Sequence, residues 1–276
     1  CRSSFSFTSP VVAVLLGGIL GSKLIDNYYL VTLPTALMIV GTAVGSLFAS
    51  KLMEIKGRRF GFSFAQQYRF AASESVKKND IPKAVSLILL LGIIAALVGS
   101  NIVSISKDIY ITKYIGSYLA LSFLAIIPFF LFIFYKDEKR VKIENKNTRS
   151  SVKEILSNKD IQISIASAGV GYTVMSILMT ATPIYLNIMQ GYSIFSTGLV
   201  IQLHVVGMFL PSLITGNLIN KFGHQRLIYS GIFILFTCLI INYTFQTYEA
   251  YMIGLILLGV GWNFLFVSGT SLLVLS

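Results

Sequence analysis

The chain has 276 residues, of which 55% are hydrophobic and 12% charged, with a mean hydropathy of +0.77 and a formal charge of +11. Soluble domains carry about 25% charged residues, so a chain this apolar cannot cover a core with polar surface, and a soluble enzyme or binding module is excluded. The cations sit in short breaks between apolar runs rather than across a polar face, which excludes a nucleic-acid groove and fits a polytopic membrane protein. Two cysteines, Cys1 and Cys238, make no disulfide framework.

A spanning helix needs about 20 mostly apolar residues, at ~1.5 Å each, against a ~30 Å hydrocarbon core. Eight runs meet this in chain order: 5–25, 29–50, 84–105, 114–135, 161–186, 194–219, 227–245 and 250–275. None alternates with period two, so the spans are read as helices and the fold class as all-α. The second span ends in "ASKLMEIKGRRFGF", where Lys51, Lys56, Arg58 and Arg59 crowd around Gly57. The following segment 60–72, "FGFSFAQQYRFAA", is too short to cross: 13 residues make a helix of about 20 Å. The tract 136–160 is the only long polar segment and reads as a solvated linker between two bundles. Pro183 and Pro211 fall inside spans and are expected to kink them.

Placing the N-terminus in the cytoplasm and alternating sides puts Arg2, the 51–83 region, the 136–160 tract, Lys221 and Arg226 on one side. That side then holds 19 of the 22 cations, against Lys23, Lys107 and Lys113 on the other. Such a split predicts a cytoplasmic face for the larger group.

The chain also repeats weakly. At an offset of 166, identities include Leu37/Leu203, Val40/Val206, Gly41/Gly207, Leu52/Leu218 and Gly57/Gly223, with Glu54 opposite Asn220. Both copies end a span at a basic turn, "MEIKGRR" and "INKFGHQR". Parallel repeats of this kind mark many secondary transporters.

Here the sequence resembles the major facilitator superfamily. Its loop pattern, like G-x-L-x-D-R-x-G-R-R, is approached by Gly45, Leu47, Glu54, Gly57, Arg58 and Arg59, with Glu54 where Asp is usual and a longer spacing from Gly45. The stretches "QYRFAAS", "IQLHVVGMFLPSLITG" and "GVGWNFLFVSGT" look like a bacterial subgroup with poorly defined substrates. The resemblance implies twelve helices in two bundles. Against that frame the chain has an incomplete N-terminal bundle over 1–135, lacking helix 3 and most of helix 4. A basic linker over 136–160 and a C-terminal bundle over 161–276, lacking the last two helices, complete the expected organisation. It also implies that Gly45, Glu54, Gly57, Arg58 and Arg59 form a gating loop.

No metal-binding, nucleophilic or P-loop motif is visible, so neither an enzyme nor an ATP-driven pump is expected, and no cofactor or metal. Candidates for a substrate or proton pathway are the polar and aromatic residues within spans. His204 lies near mid-span and titrates near pH ~6.5 when unperturbed; the competing reading is a neutral histidine bonding a neighbouring helix. Arg69, with Gln66 and Tyr68, can bind an anion or snorkel to the interface. Tyr172, Gln202, Trp262 and Asn263 either line a cavity or join helices. The expected function is a secondary transporter of a small solute in the bacterial inner membrane, with protons as a possible coupling ion. The alternative is an inert or regulatory membrane protein derived from such a transporter.

Overall fold

The computed structural model describes residues 32–56, 76–90 and 156–276 continuously. It also describes residues 17, 21, 30, 73, 93, 101–102, 105–106, 108–111, 115–120, 122 and 123. Most of the expected spans 5–25 and 114–135, half of 84–105, the segment 60–72 and the linker up to residue 155 lie outside the described residues. Among the described residues every regular element is helical: α1 (Leu33–Lys56), α2 (Ile81–Leu90), α3 (Lys159–Ile184), α4 (Ile194–Phe209), α5 (Ser212–Phe222), α6 (His224–Thr244) and α7 (Tyr248–Leu275). A 3₁₀ turn, Lys78–Asp80, leads into α2.

Five helical segments are long and apolar enough to cross a membrane: Leu33–Leu52, Lys159–Met189, Ile194–Phe222, His224–Thr244 and Tyr248–Leu275. They coincide with the second, fifth, sixth, seventh and eighth runs read from the sequence. Three start at side-chain caps. Asn158 Oδ1 accepts from the Asp160 amide at 2.9 Å, Ser193 Oγ from the Ser196 amide at 3.0 Å and Thr247 Oγ1 from the Ala250 amide at 3.3 Å. Each cap satisfies an amide that the first helical turn leaves without an intrahelical acceptor, worth roughly 1 kcal/mol. Asp160 and Glu249 add negative charge in the first turns of α3 and α7, where the helix dipole favours it.

The burial pattern is inverted relative to a soluble protein. On α6, Tyr229, Phe233, Phe236, Ile240 and Tyr243 face outward along one stripe, with Phe233 73% exposed, while Leu227, Gly231, Leu235 and Cys238 face inward. Ser164, Ser167, His204, Ser212, Thr215 and Asn263 are buried. Apolar side chains outside and bonded polar groups inside are what a hydrocarbon solvent requires.

Helix α7 is the axis of the packing: α3, α4 and α6 each pack mainly against it. Small residues permit the close approach. A Cβ on Gly259 would lie 2.5 Å from the His204 carbonyl and 2.6 Å from the Met208 nitrogen. One on Gly207 would lie 2.7 Å from the Ile256 carbonyl. Any side chain at these positions would force α4 and α7 apart.

Both prolines interrupt their helices. Pro183 has no N–H to return to Met179, and α3 widens into a π turn over Tyr185–Met189, with the Gln190 amide donating to the Tyr185 carbonyl at 3.0 Å. Pro211 separates α4 from α5, where the Leu213 amide reaches back only to the Leu210 carbonyl at 3.1 Å.

Helix α2, which precedes the polar tract, packs most closely on α5 and also touches α7 and α4, all of which follow it. On α5, a Cβ on Gly216 would meet the Lys83 Cα at 2.8 Å and nitrogen at 2.9 Å. Asn220 Nδ2 donates to the Asn79 carbonyl at 3.1 Å. Asp160 lies within electrostatic reach of His224. The polar residues around 79, 160 and 220–224 therefore share one end of the bundle.

Candidate functional site

The centre of the described helices is built by the break at Pro211. A proline inside a helix leaves upstream carbonyls without their usual amide donors. In a membrane interior each such group costs free energy unless a side chain replaces the donor. Asn263, the only asparagine of α7, supplies the replacement. Its Nδ2 donates to the Met208 carbonyl at 2.6 Å and to Ser212 Oγ at 2.7 Å. Its Oδ1 accepts from Thr215 Oγ1 at 2.7 Å. Thr215 Oγ1 also lies 2.8 Å from the Pro211 carbonyl. That carbonyl already accepts from the Ile214 and Thr215 amides, both at 2.9 Å, so the single hydroxyl proton is best used on Asn263. The amide thus braces both halves of the broken helix, with both of its N–H groups engaged.

One turn back on α4, His204 is fully buried, and its Nδ1 lies 2.8 Å from the Leu255 carbonyl of α7. A carbonyl only accepts, so the proton of the neutral ring is on Nδ1. Nε2 is left as a buried lone pair without a hydrogen-bond partner among the described residues.

Beside Asn263, Trp262 is 3% exposed. Phe266 stacks on it at 4.3 Å between centroids and 19° between planes, and Phe209 meets it edge-on at 6.2 Å and 90°. Its indole Nε1–H is buried with no acceptor among the described residues. Further along, Tyr185 pairs with Tyr251 at 5.0 Å and Tyr192 with Tyr248 at 5.1 Å.

Of the residues singled out from the sequence, His204, Trp262 and Asn263 come together on the α4–α7 seam. Gln202 stands on α4, half-buried, and Tyr172 is half-buried on α3, packed against the core. Gly45 lies within α1 and Glu54 in its last turns. Gly57, Arg58, Arg59, Gln66, Tyr68 and Arg69 lie outside the described residues. Gly223, the repeat counterpart of Gly57, has φ 86° and ψ 161°, a backbone region essentially restricted to glycine.

Sequence reasoning missed Ser212, Thr215 and Phe209. The signal was present: a proline within a span demands a donor, and the span 250–275 offers one asparagine. It also missed two further repeat identities, Ser46/Ser212 and Leu47/Leu213.

Comparison with known proteins agrees with this architecture. The family model for the Major Facilitator Superfamily matches residues 68–276. The chain is 30% identical over 305 residues to the riboflavin transporter RfnT of Brucella anthropi, covering 96% of this chain and 76% of that protein. It is 28% identical over 300 residues to the uncharacterized MFS-type transporter YddS of Bacillus subtilis, covering 98% and 67%. It is 25% identical over 324 residues to YdeG of the same organism, also an uncharacterized MFS-type transporter, covering 98% and 75%. With an all-helical, membrane-spanning fold and a family match over most of its length, the chain belongs to the major facilitator superfamily of transporters.

Proposed function

We propose that this protein is a secondary transporter that moves a small solute by alternating access between two halves, residues 1–135 and 161–276, joined by the linker 136–160. The observation that carries the reading is the α2–α5 contact, which joins the two halves at one end through Gly216 against Pro82 and Lys83 and through Asn220 against the Asn79 carbonyl. Charge counting assigns both stretches to the cytoplasmic side, and their proximity supports that assignment. In this arrangement the contact closes the cytoplasmic end. The loop of Gly45, Glu54, Gly57, Arg58 and Arg59 belongs to the same face and acts as its gate.

Riboflavin is the first solute to test, because it is the named substrate of a relative 30% identical to this chain. Protons are the proposed coupling ion, with His204 Nε2 as the accepting atom. Its lone pair has no partner among the described residues, while Asp80, Asp160 and Glu249 stand at helix starts and Asp108 in a turn. Arg69, Gln66, Tyr68, Tyr172 and Gln202 remain candidates for the solute path.

The deciding experiment is uptake of radiolabelled riboflavin into proteoliposomes under an inward proton gradient. Accumulation that collapses with a protonophore supports the reading; no uptake removes it. Orientation has its own test. Cysteines introduced at Lys56, Lys146 and His224 should resist a membrane-impermeant thiol reagent in intact cells, and labelling of position 146 from outside would sink the topology.

A second reading is an inert or regulatory membrane protein derived from a transporter. It rests on α1, whose Gly41 has nothing within 4 Å among the described residues. The alignment to the riboflavin transporter spans 305 positions against 276 residues in this chain. That supports an internal segment absent from this chain. Binding without uptake is the outcome this reading expects.

A further inference from the structure

We propose that the Trp262 indole is the stacking platform and N–H donor for a planar heteroaromatic solute bearing a ring carbonyl, seated between α4 and α7 at the Pro211 break. This inference rests on the proposed transport function and names the chemistry of its solute site.

Three independent observations meet at this residue. The first is position. Trp262 is midway along the 28-residue α7, and Phe209 is midway along the 29-residue segment Ile194–Phe222. Both therefore sit near the centre of the bilayer, beside a discontinuous helix. Transporters place solute sites at such breaks, where irregular backbone is tolerated only next to protein or a cavity.

The second is an unmet donor. An indole N–H can only donate, and that of Trp262 is buried without an acceptor among the described residues. Its neighbour Asn263 turns its amide to Met208, Ser212 and Thr215. A buried donor left without a partner is unfavourable by roughly 1–3 kcal/mol. A solute carbonyl within reach of Nε1 would remove that penalty.

The third is the geometry of Phe266. Its ring lies nearly parallel to the indole, at 4.3 Å and 19°. This is the placement a flat solute ring would take. Phe266 therefore acts as a stand-in for the solute while the site is closed. Exchanging a phenyl ring for a heteroaromatic ring conserves the stacking, and the hydrogen bond to Nε1 supplies the surplus. Phe209, edge-on at 6.2 Å, bounds the seat on the α4 side. A sugar or an amino acid would lose the stack without replacing it.

The chain contains one tryptophan, so its fluorescence reports on this residue alone. The protein in detergent is titrated with riboflavin and with lumiflavin, which keeps the ring system and lacks the ribityl chain. Both should quench the emission and compete with each other. Trp262→Phe keeps an aromatic ring and removes the N–H; by equilibrium dialysis it should bind both flavins about tenfold more weakly, the loss of one hydrogen bond. Phe266→Ala, which vacates the stand-in, should bind at least as tightly as wild type. Gel filtration verifies that each variant is folded.

Unchanged flavin affinity in folded Trp262→Phe would overturn the inference, and so would binding of riboflavin without any binding of lumiflavin. If Trp262→Phe does not fold, the wild-type quench and the Phe266→Ala affinity decide: no quench, or weaker binding in Phe266→Ala, overturns the inference. Flavin binding without uptake would remove the transport reading and leave this site standing. Uptake with full affinity in Trp262→Phe would do the reverse. If wild type neither binds nor takes up flavin, both fall.

Discussion

Helix α1 and the broken helix α4–α5 align with each other in sequence, and the structure treats them differently. Their outer faces agree: Leu47 and Leu213 are both exposed, as are Val44 with Leu210 and Phe48 with Ile214. Their inner faces agree in part, with Ala49 and Thr215 both buried. The difference lies at the glycines. Gly207 is pressed against the Ile256 carbonyl of α7, while its counterpart Gly41 has open space among the described residues. Ser212 is tied to Asn263, while Ser46, among the described residues, bonds within its own helix, to the Ala43 carbonyl at 2.7 Å. The comparison teaches that a glycine in a span is a seat for a partner helix. In the second half that partner is α7; in the first half the described residues contain no equivalent.

The largest expected contrast is steric. Gly259→Leu places atoms where the His204 carbonyl and Met208 nitrogen already lie within 2.6 Å of a Cβ. It should destabilise the protein by about 3 kcal/mol or more, since overpacking alone typically costs about 1–3. Gly41→Leu should shift stability by less than about 0.5 kcal/mol. Thermal unfolding in detergent measures both. Equal losses would mean that α1 has a packed partner and would end the asymmetry.

Next is the polar brace. Asn263→Leu strands the Met208 carbonyl, takes the amide donor from Ser212 Oγ and leaves Thr215 only the Pro211 carbonyl, for an expected loss of about 2–4 kcal/mol. Ser46→Ala should be nearly neutral. A neutral Asn263→Leu would mean that water or a side-chain rotation replaces the amide, and the two copies would then differ only in packing.

The turns sharpen the comparison from the other direction, because there the copies are expected to agree. Gly223→Ala meets backbone strain of about 1–3 kcal/mol at its positive φ. If Gly57 occupies an equivalent turn, Gly57→Ala should lose a similar amount, and transport per molecule should slow in both variants. A silent Gly57→Ala would restrict the repeat to the helices.

Within the second copy and α7, the smallest change in stability is expected at His204, whose counterpart is Met38. Gln can still donate to the Leu255 carbonyl, so His204→Gln should cost less than about 1.5 kcal/mol. Its informative readout is uptake from about pH 5 to 8, where histidine titrates. Loss of the pH dependence identifies the proton-accepting atom; an unaltered profile leaves His204 as an interhelical bond.

Much of this was legible beforehand, for identifiable reasons. Span positions follow from hydropathy and length, so five of the eight expected runs reappear as membrane-length helices with shifts of a few residues at their ends. Prolines are readable because their effect is local: Pro183 and Pro211 both interrupt regular α-helix. The brace was not readable as a unit. Asn263 and Ser212 are 51 residues apart, and only the tertiary meeting of α4 and α7 joins them. His204 appeared as one candidate with two readings, and its bond to Leu255 depends on the same meeting.

The central place of α7 has a consequence for how the chain is made. Helices α3, α4 and α6 emerge from the ribosome before α7, yet each packs mainly against it. Until residues 248–275 enter the bilayer, His204, Ser212 and Thr215 lack their α7 hydrogen-bond partners. The carbonyls freed by Pro211 are equally unbraced. The half-made bundle therefore presents polar surface within hydrocarbon, the condition under which quality-control proteases and insertion factors engage a nascent membrane protein. Arrival of α7 closes that interval in a single step, so the C-terminal bundle is expected to mature late and cooperatively rather than helix by helix.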